Sequence, residues 1–227
     1  MIPVGDENPT RITPYVNYLI ICLCFIIFLW QISDGDGFFI YTITEFGLIP
    51  ARILSGDGYV TFFTNMFLHG GWMHLIGNMF FLYIFGDNIE DSFGHLGYLV
   101  FYFTSGVLAS LIWMLTEWGS PYPAVGASGA ISGVMAAYLL LFPNARIRTL
   151  IRFGFFWHII KVSASMMIGF WFLYQMFLAF LSFDAGVAYF AHIGGFVAGL
   201  ILTKIFFGVS PSSFSVGDSK DPSGFCH

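Results

Sequence analysis

Charge is what this sequence has least of: Asp, Glu, Lys and Arg make up 9% of its 227 residues, against roughly 25% in an average soluble domain. So few charges cannot cover a water-soluble body that carries 29 Phe, 11 Tyr and 6 Trp. An ordinary soluble globule is excluded, and the surrounding medium is lipid. Basic residues are scarcest. With 8 Lys and Arg and a net charge of -5, the chain offers no phosphate-binding patch, so nucleic acid is not expected as a partner. Cysteine is nearly absent as well. Cys22 and Cys24 stand two apart in an apolar run and Cys226 lies near the end, which makes neither a disulfide framework nor a metal-type C-x-x-C. No metal and no cofactor is expected.

What is abundant is long apolar sequence. A bilayer core takes about 20 apolar residues per helix, and six such runs stand at about 12–31, 72–88, 97–116, 127–142, 163–182 and 186–207. They predict an all-α membrane protein with six transmembrane helices. The first run is read as a permanent helix, because its leader carries Asp6 and Glu7 instead of a basic cluster and no A-x-A site follows. Six spans put both termini on one side. Placing them in the cytoplasm collects Arg11, Arg146, Arg148, Arg152, Lys161, Lys204 and Lys220 at the inner face and leaves Arg52 outside. The long first connection, about 34 to 68, mixes Gly/Asp turns with Phe38, Phe39, Ile40, Phe46, Phe62 and Phe63. Being too apolar for a solvated linker, it is predicted to pack into the outer interface. Residues 1–208 read as one membrane domain, and the Ser/Gly/Pro/Asp-rich 209–227 as a disordered cytoplasmic tail.

Polar side chains inside a membrane are costly, so those that cannot reach an interface are informative. His74 and Asn78 are four apart on span two and share a helix face near its outer end. Ser128 lies in the first turn of span four, and His192 about six residues into span six, roughly 9 Å deep at 1.5 Å per residue. All four fall in the outer half at similar depth. A Ser on the first helical turn feels the positive end of the dipole and adjoins unpaired N–H groups that could hold a developing oxyanion. Gly129, Gly133 and Ala136 form a small-residue stripe on span four, and Gly195 and Gly199 follow His192 on span six. Such faces let membrane helices pack closely, as a Ser and a His on different helices require. Taken singly, each feature has a blander account: a lone membrane Ser more often back-bonds to its own carbonyls, as expected for Ser105, Ser110 and Ser132. A lone His is more often structural, and a Gly stripe means packing. The conjunction is what points to chemistry.

Three motifs in order resemble the rhomboid family of intramembrane serine proteases. His69, His74 and Asn78 match its H-x-x-x-x-H-x-x-x-N pattern, Gly126-Ala127-Ser128-Gly129 its G-x-S-G, and Ala191 to Gly199 its A-H-x-x-G-x-x-x-G. Gly86, Glu90 and Gly94 resemble its G-x-x-x-E-x-x-x-G segment, and the likeness covers roughly 60 to 205. The resemblance implies a six-helix rhomboid-like bundle in the cytoplasmic membrane, acting on transmembrane protein substrates. It implies Ser128 as nucleophile and His192 as general base, with the oxyanion held by Asn78, His74 and the Ser128 N–H. His69, Gly126, Gly129, Gly195 and Gly199 then have supporting roles, and about Trp171 to Tyr189 is expected to form a gate. A Ser-His dyad is expected, since the nearest acid to His192 is Asp184 in the preceding loop. Two positions depart from the family: Val60-Thr61 replaces a frequent Trp-Arg pair, and Ser132 stands where many members stack an aromatic on the His. Support for His192 then falls to Phe196 or Tyr189, or the base is looser. Two further classes stay open: a non-catalytic rhomboid-like protein that binds membrane clients, expected to lack the Ser or the His, and a metal or haem protein using His69, His74 and His192. Against the last, no H-E-x-x-H motif occurs and no acid stands beside these histidines.

Overall fold

A computed structural model describes residues 2–153, 156–181 and 188–207. A short strand β1 (Ile2–Asp6) leads into α1 (Tyr15–Gln31). The connection that follows folds into α2 (Gly35–Phe46), α3 (Pro50–Leu54), α4 (Thr61–Thr64) and a 3-10 turn (Asn65–Phe67). Then come α5 (Trp72–Thr116), α6 (Ser128–Leu141), β2 (Arg146–Phe153), β3 (Phe156–Ser163), α7 (Ala164–Leu181) and α8 (Tyr189–Phe207). Of these, α5, α7 and α8 are long and apolar enough to cross a membrane, while α1 and α6 are apolar but shorter. The chain is a membrane protein. The expected tail, 209–227, lies outside the described residues.

The 45-residue α5 is two helices joined at Gly94, whose φ of 70° and ψ of 166° break the helical path. That backbone lies in the left-handed region that favours glycine. The two halves contain the second and third apolar runs. Near this break the foot of α1 is fastened by polar groups. The buried Glu90 carboxylate accepts the N–H of Val16 at 3.0 Å and of Asn17 at 2.7 Å, satisfying first-turn donors that an α-helix leaves open. Asn17 in turn donates to the Leu82 carbonyl and accepts from the Tyr98 hydroxyl at 2.8 Å. A Cβ on Gly86 would run into the Asn17 amide and lie 2.8 Å from the Tyr98 oxygen, so only glycine fits there.

At the centre, α6 is buried along almost its whole length, Gly129 to Tyr138. A Cβ on Gly195 would collide with the Gly129 carbonyl, and one on Gly199 with the Gly133 carbonyl. On the opposite flank a Cβ on Gly129 would lie 2.7 Å from the Ala109 Cβ, and one on Gly133 would lie 2.6 Å from the Ser105 Cβ. Thus α6 is held between α8 and the second half of α5 at backbone contact, the geometry that small-residue faces permit. Ser132 donates to the Ser128 carbonyl at 2.6 Å, the expected back-bond.

The all-α expectation is corrected by a three-stranded antiparallel sheet in the order β1-β2-β3. The connection between the fourth and fifth apolar runs, with Arg146, Arg148, Arg152 and Lys161, folds into β2 and β3. Their β-branched content and the alternation of exposed Arg146 and Arg148 with buried Ile147 and Thr149 give a strand period. The third strand comes from the other end of the sequence, Asp6 opposite Ile147, so no local pattern reveals it. Glu7 pairs with Lys161 at 2.6 Å, and the Tyr138 hydroxyl donates to Asp6. Burial pushes the Asp6 carboxyl up to about 6 although the Tyr138 hydrogen bond opposes it.

Candidate active site

The starts of α5, α6 and α8 lie at the same end of the molecule, and the candidate residues lie on them. His74 is third in α5, Ser128 first in α6 and His192 fourth in α8. His192 thus stands one turn into its helix, shallower than the run beginning at 186 implied. Its Nε2 lies 2.8 Å from Ser128 Oγ. The turn before Ser128 is anchored from below: the Gly126 N–H donates to the Asn65 carbonyl at 2.9 Å, and Leu48 bridges to Ala124. Gly126 takes φ 130°, a backbone that side chains disfavour, and a Cβ there would lie 2.8 Å from His74 Nε2. Glycine is required twice over.

Opposite Gly126 two nitrogens face the same small space. The position of an added Gly126 Cβ is 2.8 Å from His74 Nε2 and 3.6 Å from Asn78 Nδ2. His74 Nδ1 accepts the Gly70 N–H at 3.3 Å, so in the neutral ring Nε2 carries the proton and is a donor. Asn78 Nδ2 is buried with no hydrogen-bond partner. Two donors beside the start of α6, whose own first N–H groups lack intrahelical acceptors, make a site suited to negative charge. Ser128 also borders a cavity of about 30 Å³ lined mainly by small side chains, among them Ala109, Ala130 and Ala191.

His69 precedes α5. Its backbone is clamped by the buried Gln31 side chain, whose Oε1 accepts the His69 N–H at 3.0 Å and whose amide donates to the His69 carbonyl at 3.4 Å. Its ring meets His74 edge-on with centroids 5.3 Å apart. Burial, with His74 nearby, drives its pKa down to about 3, so it is neutral at ordinary pH. His69 and His74 do not join His192 in a ligand set. Among the described residues no group of three or more His, Cys, Asp and Glu is placed to hold a metal ion.

Around His192 the structure gathers Gln175, Trp171 and Tyr189, the last being one of the two aromatics expected to support the base. Gln175 on α7 puts Oε1 2.8 Å from His192 Nδ1. Trp171, one turn earlier, lies 6.1 Å from the His192 ring at 37°, and Tyr189 meets it edge-on at 6.3 Å. Phe196, one of the two aromatics considered for support, stacks instead on Phe172 at 4.1 Å, joining α8 to α7. Gln175 was visible as the one amide or charged residue between Ser165 and Ser182. Asp184 and the 182–187 part of the expected gate lie outside the described residues.

A family model described as Rhomboid domain matches residues 57–209. "RHOMBOID-like protein 6, mitochondrial" of Arabidopsis thaliana is 34% identical over 152 residues, 66% of this chain and 45% of that protein. "Rhomboid-like protein 11, chloroplastic" of the same plant is 41% identical over 81 residues, 35% of this chain and 28% of that protein. "Rhomboid protease GluP" of Bacillus subtilis is 30% identical over 126 residues, 56% of this chain and 24% of that protein. The chain therefore spans less than half the length of these curated relatives.

Proposed function

The chain belongs to the rhomboid family, and on that premise we propose that it is an intramembrane serine endopeptidase that cleaves transmembrane protein substrates with a Ser128-His192 dyad. One observation carries the reading: the 2.8 Å contact between Ser128 Oγ and His192 Nε2, made across two helices that meet at backbone distance. In this mechanism His192 Nε2 takes the Ser128 proton as Oγ attacks the scissile carbonyl. The tetrahedral oxyanion is held by the Nε2–H of His74, the Nδ2–H of Asn78 and the Ser128 N–H, at the positive end of α6. His192 then passes its proton to the leaving amine, which departs with the C-terminal product. Water, deprotonated by the same nitrogen, hydrolyses the acyl-enzyme ester. The cavity of about 30 Å³ beside Ser128 favours a small side chain at the bond cut. Gly/Ala-containing substrate helices fit this requirement, and glycine among them also lets the helix unwind more readily, which a helical peptide bond must do before attack.

The relative from Bacillus subtilis that is named a protease supports this activity class. In the same reading residues 1–208 form one domain of six membrane-crossing helices, α5 contributing two through its Gly94 bend. The basic residues then place the termini and the β2–β3 hairpin at the cytoplasmic face, with the catalytic end outward and 34–68 at the outer interface.

Labelling of the detergent-purified protein by a fluorophosphonate, compared across wild type, Ser128→Ala, Ser132→Ala and His192→Ala, tests the assignment. Expected is labelling in wild type and Ser132→Ala and its loss in the other two, with cleavage of a transmembrane reporter following the same order. A folded wild type that neither labels nor cleaves overturns it in favour of client binding without catalysis.

A further inference from the structure

The proposed dyad leaves one question of proton chemistry open. A neutral imidazole carries one N–H, and His192 can serve as a base toward Ser128 only if that proton sits on Nδ1. Something must hold it there. Gln175 is placed to do so: its side chain is buried, 8% exposed, and its Oε1 lies 2.8 Å from Nδ1 while Ser128 Oγ lies 2.8 Å from Nε2 on the far side of the ring. Trp171, four residues before Gln175 and so on the same face of α7, packs near the His192 ring.

We infer that Gln175 is the positioning residue of the site: its carbonyl oxygen accepts the His192 Nδ1–H, fixing the tautomer whose Nε2 lone pair faces Ser128. This deepens the dyad reading and rests on it. When Nε2 takes the serine proton, the Nδ1–H···O=C bond becomes charge-assisted, so it strengthens as the reaction proceeds. No proton moves to the amide. A carboxylate would do the same work with more field, but burying an ionised acid in a medium of low dielectric costs far more than burying an amide that is hydrogen-bonded. An amide oxygen is the form of the third partner that a membrane interior tolerates. Gln175 is carried by α7, whereas Ser128 and His192 belong to α6 and α8, so the base is oriented only while α7 lies against α8.

The test uses Gln175→Leu, which removes the acceptor at similar size, and Gln175→Glu, which as the buried, protonated acid keeps a neutral carbonyl acceptor. Steady-state cleavage of the transmembrane reporter is measured with each, and the His192 ring nitrogens are read by 15N NMR of histidine-labelled protein. In wild type the NMR is expected to show the Nδ1-protonated tautomer. Gln175→Leu is expected to lose about 10- to 100-fold in kcat, the worth of one hydrogen bond to a charged group, with KM little changed. It is also expected to populate the other tautomer. Gln175→Glu is expected to stay within about threefold of wild-type kcat, on the same grounds that the bond is kept. Wild-type kcat and an unchanged tautomer in folded Gln175→Leu overturn the proposal while leaving the dyad standing. Equal loss in both variants overturns it too, since that marks a packing role. If wild type itself proves unreactive at Ser128, the protease reading fails, and the tautomer measurement still decides whether Gln175 holds the ring.

Discussion

Consider replacing Gly129 by alanine. The new methyl carbon would lie 2.7 Å from the Ala109 Cβ, whereas two carbons rest at roughly 3.5–4.0 Å. Relief takes a displacement of about 1 Å between α6 and the second half of α5. It cannot be shared with α8, because the Gly129 carbonyl already sits where a Gly195 Cβ would be. Overpacking of this kind costs about 1–3 kcal/mol. The larger effect falls on the neighbour: Ser128 moves with Gly129 relative to His74 and Asn78, and a 1 Å misplacement costs on the order of 100-fold in rate. The expected outcome is a loss of about two decades in kcat/KM on a transmembrane reporter, with lowered thermal stability in detergent. Gly169→Ala, whose Cβ would meet nothing within 4 Å, serves as control and is expected to be neutral. Adding Ala109→Gly to Gly129→Ala should restore most of the activity, since it removes the other half of the clash. A folded Gly129→Ala protein with wild-type kcat/KM, or a double variant no better than the single, would refute the idea that backbone-contact packing of α6 sets the site.

Three further outcomes follow from other parts of the structure. Asn78→Ala removes a buried donor that has no partner in the free protein, so kcat should fall by about 10²- to 10³-fold with thermal stability unchanged or raised; a fall in stability alone would count against an oxyanion role. Glu90→Ala strips the acceptor from the Val16 and Asn17 N–H groups and should destabilise the fold by about 3 kcal/mol or more, seen in thermal unfolding in detergent. The Asp6 carboxyl titrates at about 6 against an ordinary 3.8, so the folded state holds a proton that the unfolded chain gives up. Its contribution is complete below about pH 4 and is lost as pH rises through about 6. Hydrogen exchange of the β1 amides should accelerate relative to β3 across that range, and Asp6→Asn should abolish the difference.

The site was legible in sequence where side chains announce themselves by cost. Ser128, His74, Asn78 and His192 stand out because polar groups in apolar runs are rare, and the structure brings the three helix starts that bear them together. Gln175 carries the same signal but stands alone in an aromatic run, with no polar neighbour at helical spacing to mark it. The helices were legible as apolar runs of bilayer length. The break between the second and third runs was legible too, but not that the single residue Gly94 makes the turn. The outer strand of the sheet stayed hidden for another reason: β1, the first residues of the chain, pairs with β2, and pairing across some 140 residues leaves no mark on local periodicity. The glycines were legible as a packing face, but which carbonyl each one meets is a property of three helices at once.

The two ends of the bundle use the same kinds of groups for opposite purposes. At the foot of α1, Asn17, Glu90 and Tyr98 are joined into a network in which each buried group has a named partner. In a medium without water such a network locks one helix against another, because opening it strands polar atoms that lipid cannot satisfy. At the other end Ser128, His192 and Gln175 are joined just as tightly, yet Asn78 beside them keeps a buried donor with no acceptor. An unpaired donor of this kind costs about 1–3 kcal/mol. Tyr102 and Ser105 also keep unpaired oxygens, without the back-bond expected of Ser105, but within the packed body of α5; Asn8 Nδ2 near Asn88 and His69 Nε2 beside His74 are unpaired as well. The Asn78 donor points instead to the space flanked by His74, Gly126 and the head of α6. That is where a bound carbonyl would supply the missing acceptor, and where the acceptor would be most needed when it carries a full negative charge. A buried donor held open on that one space, beside a second donor and the head of a helix, is what a site poised for a substrate requires.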